Sequence, residues 1–291
     1  MSIIDDLRNT FKLKHNGLNR LILVNVIIFL IVNIVDAILK IAGSPVEVEG
    51  FLMLPSSSTG FMEHFWTLFT YMFLHKEFFH IFFNMIWLYS IGSIFAEFMG
   101  SKRLVAVFVL GGLAGGLLFL LIANVFPNPY LSGPMLGASA GVMAVVVATA
   151  VYAPNLMMNV FFLGPVRLKY IALTAFVLNS LLDLSSNTGG KIAHIGGAAF
   201  GLIYALQYRK NNDLTRGLTG ILDSLLSVFR FKPRSHVKVA YKRPVSDAVY
   251  NETKVTDQRR INEILDKISR AGYESLSKEE KDFLFNSSRK N

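Results

Sequence analysis

The sequence predicts an all-α polytopic membrane protein: a bundle of six transmembrane helices, both termini cytoplasmic, and a short helical cytoplasmic region at the C-terminus. Three observations predict it. The 291 residues are 52% hydrophobic and only 17% charged, where soluble domains average about 25% charged. The apolar residues gather in long runs close to the length that crosses a hydrocarbon core about 30 Å thick. The net charge of +9 lies at the ends, with +2 over residues 1–20, zero over 21–208 and +7 over 209–291. A neutral core with basic ends suits anionic lipid. It does not read as a nucleic-acid binder, which needs a basic face interleaved with base-stacking groups. There is no cysteine, so disulfides, thiolate metal sites and a cysteine nucleophile are excluded.

Along the chain, residues 1–20 form a polar cytoplasmic segment, too polar for too long to read as a cleavable signal. The apolar runs are Leu21–Ile41, Phe78–Phe98, Leu104–Val125, Leu136–Tyr152, Leu168–Leu184 and Ile192–Tyr208, the fourth at the short limit for a span. They must be helices, because lipid offers the backbone no partner outside its own segment. Lys102 with Arg103, Arg167 with Lys169, and the chain after Arg209 make one set of loops basic, whereas Ala42–His75 and Phe126–Gly137 hold no Lys or Arg. Both ends are therefore expected in the cytoplasm of a bacterial inner membrane, and spans two, four and six enter from outside. The long first outer loop, with its apolar stretch around Phe61–Phe73, is expected to be functional or partly embedded.

After the bundle, residues 209–234 carry Leu214, Leu218, Ile221, Leu222, Leu225 and Phe229 on one helical face, flanked by Arg209, Lys210, Arg216, Arg230 and Lys232. That suits an interfacial helix on the inner surface, with a helix of a small soluble domain as the alternative. Residues 235–256 read as a linker. The region 257–291 reads as two helices, Asp257–Arg270 and Lys278–Asn286, broken at Gly272, the second opened by a capping box of Ser277 and Glu280.

Polar side chains inside the spans are the candidate functional groups, because lipid makes them costly. His75, His80 and Asn84 belong to span two, Gly137 and Ser139 to span four, and His194 to span six. All fall in the first turns of segments that enter from outside, so topology brings them to a similar depth. A serine and a histidine together can carry out nucleophilic acyl transfer, the imidazole taking the hydroxyl proton and returning it to the leaving amine. His80 and Asn84, four apart on one face, could both donate to the developing oxyanion. Gly137 would let the backbone approach a substrate, and Gly197 and Gly201, with Gly141, would let helices pack closely enough for an unassisted Ser–His hydrogen bond. A metal site at His75 and His80 is disfavoured, since five residues on a helix turn them about 140° apart and no carboxylate joins them; no cofactor is implied. Asp36, Lys40, Glu97 and Asp183 read as structural charges near segment ends.

These motifs together resemble the rhomboid family of intramembrane serine proteases over roughly residues 15–208. HKEFFHIFFN is similar to the family's H-x4-H-x3-N at His75, His80 and Asn84; GAS to its G-x-S at Gly137 and Ser139; AHIGGAAFG to its A-H-x-x-G-x-x-x-G at His194, Gly197 and Gly201; and GSKR at Gly100–Arg103 to a further inner-loop element. The resemblance implies Ser139 as nucleophile, His194 as base, an oxyanion hole of His80, Asn84 and the Ser139 N–H, and a supporting role for His75 at the loop junction. It implies transmembrane protein substrates that enter from the bilayer, unwind locally and are cut near their outer ends. The chain departs from the pattern at Ala140, usually glycine, at Met143, commonly aromatic, and at Thr67, usually arginine after Trp66.

Two rivals bear comparison with the peptidase. A catalytically inactive relative that binds and routes membrane segments is disfavoured because both serine and histidine are kept. A small transporter predicts charged groups or broken helices near the midplane, whereas these polar groups cluster toward one face.

Overall fold

The computed structural model describes residues 16–126, 129–160, 163–181, 188–228 and 247–288. Residues 1–15, Asp183, the segment Phe229–Lys232 of the amphipathic stretch and residues 235–246 of the expected linker lie outside it. The chain forms two compact units, Met1–Arg230 and Phe231–Asn291.

In the first unit, α1 (Asn16–Ile41) is followed by short loop helices α2 (Val48–Leu52), α3 (Ser58–Glu63) and α4 (Thr67–Thr70). Then come α5 (Phe78–Met99), α6 (Ser101–Val125), α7 (Ser139–Tyr152), strands β1 (Met157–Val160) and β2 (Gly164–Arg167), and helices α8 (Leu168–Ser180), α9 (Thr188–Arg209) and α10 (Arg216–Val228). The six expected spans are α1, α5, α6, α7, α8 and α9. Of these, α1, α5 and α6 are long and apolar enough to cross a bilayer on their own account. Helix α9 has 22 residues, but its glycines, Lys191 and His194 lower its hydropathy.

Helix α7 has 14 residues, about 21 Å at 1.5 Å per residue, which is short of a hydrocarbon core. It begins at Ser139 and not at Leu136: residues 136–138 arrive as irregular chain, with Gly137 at φ +129. Non-helical backbone at this depth is tolerated where protein surrounds it, and α7 is buried along most of its length. Small residues make that possible. A Cβ added to Gly111 of α6 would lie 2.2 Å from the Ala144 Cβ, and one added to Gly201 of α9 would lie 2.3 Å from the Ala144 carbonyl oxygen. Helices α6 and α9 thus clamp the two sides of α7 at near-backbone contact. Gly141 serves the α6 side, where an added Cβ would meet the Phe108 carbonyl oxygen at 2.6 Å.

The end of the first loop packs into the protein, while Met62, Phe65, Trp66 and Phe69 of its apolar stretch are exposed. Tyr71, Met72, Phe73 and Leu74 are all buried, and the Tyr71 hydroxyl donates to the Gly112 carbonyl at 2.6 Å. Leu54 and Met135 exchange two backbone hydrogen bonds, 2.9 and 2.8 Å, tying this loop to the chain that leads into α7. Asp36 accepts from the N–H groups of Val48 and Glu49, so this charge near a span end caps α2. Between α7 and α8 the structure adds a two-stranded antiparallel hairpin, β1–β2, in the register Met157↔Arg167 to Val160↔Gly164, which the sequence reading does not contain.

At the other end of the bundle, Arg103 Nε donates to Asp213 Oδ2 at 2.6 Å and Thr215 donates to Asp213 Oδ1 through both hydroxyl and N–H. Burial raises the Asp213 pKa, but these bonds outweigh it and hold the carboxyl below its ordinary range. Asp213 thereby fixes the turn between α9 and α10. The amphipathic helix runs over Arg216–Val228, with Arg209 ending α9 instead of opening the new helix.

The second unit contains α11 (Asp247–Ala271) and α12 (Lys278–Ser288) around Gly272 at φ +79. Helix α11 begins at Asp247, so residues 247–256 are helix and not linker; DAVYNETKVT holds no proline or glycine to stop it. The capping box forms as expected, with Glu280 N–H to Ser277 Oγ at 3.3 Å and Ser277 N–H to Glu280 Oε2 at 2.7 Å.

Candidate active site

Ser139 opens α7 and His194 lies near the start of α9. The Ser139 Oγ is 2.6 Å from His194 Nε2, and His194 Nδ1 is 3.0 Å from the main-chain carbonyl oxygen of Asn179. A carbonyl can only accept, so Nδ1 carries the proton and Nε2 presents its lone pair to the serine hydroxyl. Asn179 belongs to the last turn of α8, where carbonyls have no partner further along the helix. The end of one span therefore fixes the tautomer of a histidine on another.

Around this pair, Gly137 donates its N–H to the Tyr71 carbonyl at 2.9 Å. Any Cβ at Gly137 would sit 3.0 Å from both Cε1 and Nε2 of His80 and 3.7 Å from Ser139 Oγ, at a φ that L side chains avoid. Glycine here leaves room for His80 beside the serine. Asn84 uses one amide hydrogen on the His80 carbonyl at 2.8 Å, and a primary amide has a second to offer. Val142 N–H bonds back to Ala138 O at 3.0 Å, which leaves the Ser139 N–H ahead of the helical ladder. His80, Asn84, Ser139 and His194 line a cavity of about 910 Å³ that runs between α5, at Phe83 and Trp87, and α8, at Ile171 and Leu178.

His75 requires a correction. It precedes α5 and does not share its helical turn, so the 140° separation from His80 does not apply: the two rings meet edge to face with centroids 5.0 Å apart. Its carbonyl accepts from Asn33 of α1 at 3.1 Å. Burial, together with the neighbouring His80, pushes the His75 imidazole pKa down to about 3. Among the described residues no group of three or more His, Asp or Glu side chains gathers as metal ligands do.

The departures from the family pattern find local accommodation. Ala140 faces Gly115 of α6, whose missing side chain leaves space for the extra methyl; a Cβ on Gly115 would be 2.7 Å from that of Ala140. Thr67 is buried and donates to the His64 carbonyl at 2.6 Å, while Trp66 Nε1 donates to the Phe51 carbonyl at 3.0 Å, so loop anchoring is done by main-chain acceptors without an arginine. Met143 is buried within α7. Three contributors escape sequence reasoning. The Asn179 carbonyl is main chain and has no sequence signature, Tyr71 looks like one aromatic among many, and Lys191, which also lines the cavity, reads as a lone loop cation.

Fold and site together define a polytopic helical membrane protein with a serine–histidine pair enclosed in its bundle. The profile of the Rhomboid domain matches residues 62–211, and the chain belongs to the rhomboid family. Residues 246–290 match a family of unknown function, DUF6576. The chain is similar to the mouse presenilin-associated rhomboid-like protein, mitochondrial, with 30% identity over 143 residues, 45% of this chain and 35% of the relative. It is 32% identical to the Arabidopsis thaliana RHOMBOID-like protein 12, mitochondrial, over 158 residues, 50% of this chain and 46% of the relative. It is 30% identical to the Salmonella newport rhomboid protease GlpG over 78 residues, 27% of this chain and 25% of that protein. The chain thus matches between a quarter and a half of these relatives' lengths. Two of the three are mitochondrial, so the likeness does not select a bacterial inner membrane.

Proposed function

We propose that this protein is an intramembrane serine endopeptidase that cleaves transmembrane segments of other membrane proteins near their outer ends. The observation that carries the reading is the relay Ser139 Oγ–His194 Nε2–Asn179 O, 2.6 and 3.0 Å, inside a cavity between two spans. Nε2 takes the hydroxyl proton as Oγ attacks the scissile carbonyl, and the acyl-enzyme forms when the same proton passes to the leaving amine. The Asn179 carbonyl supports the imidazolium without burying a carboxylate, whose desolvation would be costly here. The Ser139 N–H, the free amide hydrogen of Asn84 and the His80 ring are the donors for the oxyanion. Water then repeats the sequence in reverse to release the second fragment.

The gap between α5 and α8 is the route by which a substrate helix reaches the dyad from lipid, and the basic ends put both termini on the anionic, cytoplasm-like side. An inactive, segment-binding role has less support, because it gives no reason for a correctly tautomerised histidine on the serine. Co-expression with single-span model substrates tests the reading. The wild type should release a size-shifted product and its serine should label with a phosphonate probe; both should vanish in Ser139→Ala. Absence of product and label from the wild type would refute it.

A further inference from the structure

Lys191 is buried, 8% exposed, and its Nζ has no hydrogen-bond partner among the described residues. It lies three residues before His194 on α9, one turn along the same face, about 4.5 Å higher on the axis, and it contributes to the wall of the cavity that holds the dyad. Glu77 is the one acidic residue lining that cavity among the described residues; it is exposed at the mouth and makes no bond to Lys191. A buried ammonium with no counter-charge among the described residues is costly to keep. The reaction in Proposed function makes no use of it, since both the proton transfers and the oxyanion are served by other groups.

We propose that Lys191 is a specificity residue that pairs with a carboxylate on the substrate, an Asp or Glu side chain within about two residues of the scissile bond. The inference rests on the peptidase reading and adds to it the chemistry of the segment recognised. The four-carbon stem lets the ammonium turn into the cavity without moving α9. An Asp or Glu in a substrate helix is itself costly in lipid, so pairing it at the active site relieves both partners at once and selects segments that carry an acid at that depth. The same pairing cancels the positive charge beside His194, where an imidazolium must form during catalysis, so the preference should be read in kcat as well as in KM.

The test uses the full chain in liposomes with a set of single-span substrates that differ only by Glu against Gln at each of three positions on either side of the cleaved bond. For wild type, kcat/KM should favour Glu at one or two of these positions by roughly 10-fold, the size of one charge-assisted hydrogen bond. Lys191→Met should bring that ratio to about one, Lys191→Arg should keep it, and Lys191→Glu should turn the preference toward Lys in the substrate. Phosphonate labelling of Ser139 in every variant reports whether the dyad survived the substitution. Equal cleavage of Glu and Gln substrates by the wild type overturns the inference without any variant, and so does a Glu preference that persists in a labelled Lys191→Met protein. Failure of the wild type to cleave any substrate or take the label is a different result: it refutes the peptidase reading, and this inference with it.

Discussion

Gly197 of α9 meets the backbone of Ala140 directly: a Cβ built on Gly197 would lie 2.1 Å from the Ala140 carbonyl oxygen. Ala140 follows the candidate nucleophile and Gly197 lies three residues after the candidate base. The separation of Ser139 and His194 is therefore set by a backbone-close contact between α7 and α9, and the geometry of the pair and the packing of the two helices are one feature.

Gly197→Ala should for that reason be damaging out of proportion to one methyl. The obstructing atom is main-chain oxygen and cannot rotate away, so α9 must shift, and an overpacked contact costs typically about 1–3 kcal/mol. A displacement of about 1 Å at the reacting atoms is enough for roughly a 10²-fold loss of rate. Thermal stability and cleavage should fall together. Gly220→Ala in α10, where nothing lies within 4 Å, is the matched control, and equal behaviour of the two variants would contradict the packing argument.

Ser139→Ala removes the oxygen proposed to attack and leaves α7 otherwise intact, since the serine hydroxyl bonds to the His194 ring. Turnover should drop by at least about 10⁴-fold with an unchanged melting temperature. Residual cleavage near the wild-type rate would require another nucleophile.

Asn84→Ala removes a single oxyanion donor, so turnover should fall by about 10²-fold, chiefly in kcat, without being abolished. The bond from Asn84 to the His80 carbonyl stays within one helix turn, so folding should change little. Kinetics on one model substrate with wild type and variant separate kcat from KM, and an unaltered kcat would take Asn84 out of the hole.

What the sequence made legible and what it hid divide along a physical line. Ser139, His194, His80 and Asn84 stand out because a polar side chain in an apolar run has few bland explanations, and the ends of α1, α5 and α6 fall within a few residues of expectation because hydropathy changes sharply there. The start of α7 is hidden in the sequence because Leu136 and Ala138 are apolar whether or not they are helical; only the φ of Gly137 reveals the irregular entry. Helical spacing turns His75 away from His80 only if the helix already exists at that residue, and it starts at Phe78. The Asn179 carbonyl was invisible in principle, since every residue has one and only tertiary structure selects which is left without a partner. The hairpin β1–β2 is too short for alternation to register.

Tyr71 holds both sides of the entry to α7, its hydroxyl on the Gly112 carbonyl and its own carbonyl on the Gly137 N–H. Tyr71→Phe keeps the ring and the second bond but removes a buried hydrogen bond to a carbonyl within α6, a cost of about 0.5–1.5 kcal/mol. The variant should melt earlier and lose activity less than Gly197→Ala, because the glycine that carries the site remains tied. A variant as stable as wild type would mean that water replaces the hydroxyl.

The buried His75 predicts how stability responds to acid. Its pKa is about 3 in the folded protein against about 6.5 for a free imidazole, so between those values the unfolded chain binds more protons than the folded one. Stability then rises with pH across that window and declines as pH falls below 6.5, the sign opposite to that of a histidine gaining an acidic partner. By pH 5 the loss from this group alone should be about 2 kcal/mol. His75→Gln removes the titration. The variant should be less stable than wild type at pH 7.5, where packing against His80 is lost, yet the gap should narrow steadily toward pH 5. Melting curves of the two proteins in the same detergent from pH 7.5 to 5 check this. A gap that stays constant would mean that His75 takes up its proton without leaving its place beside His80.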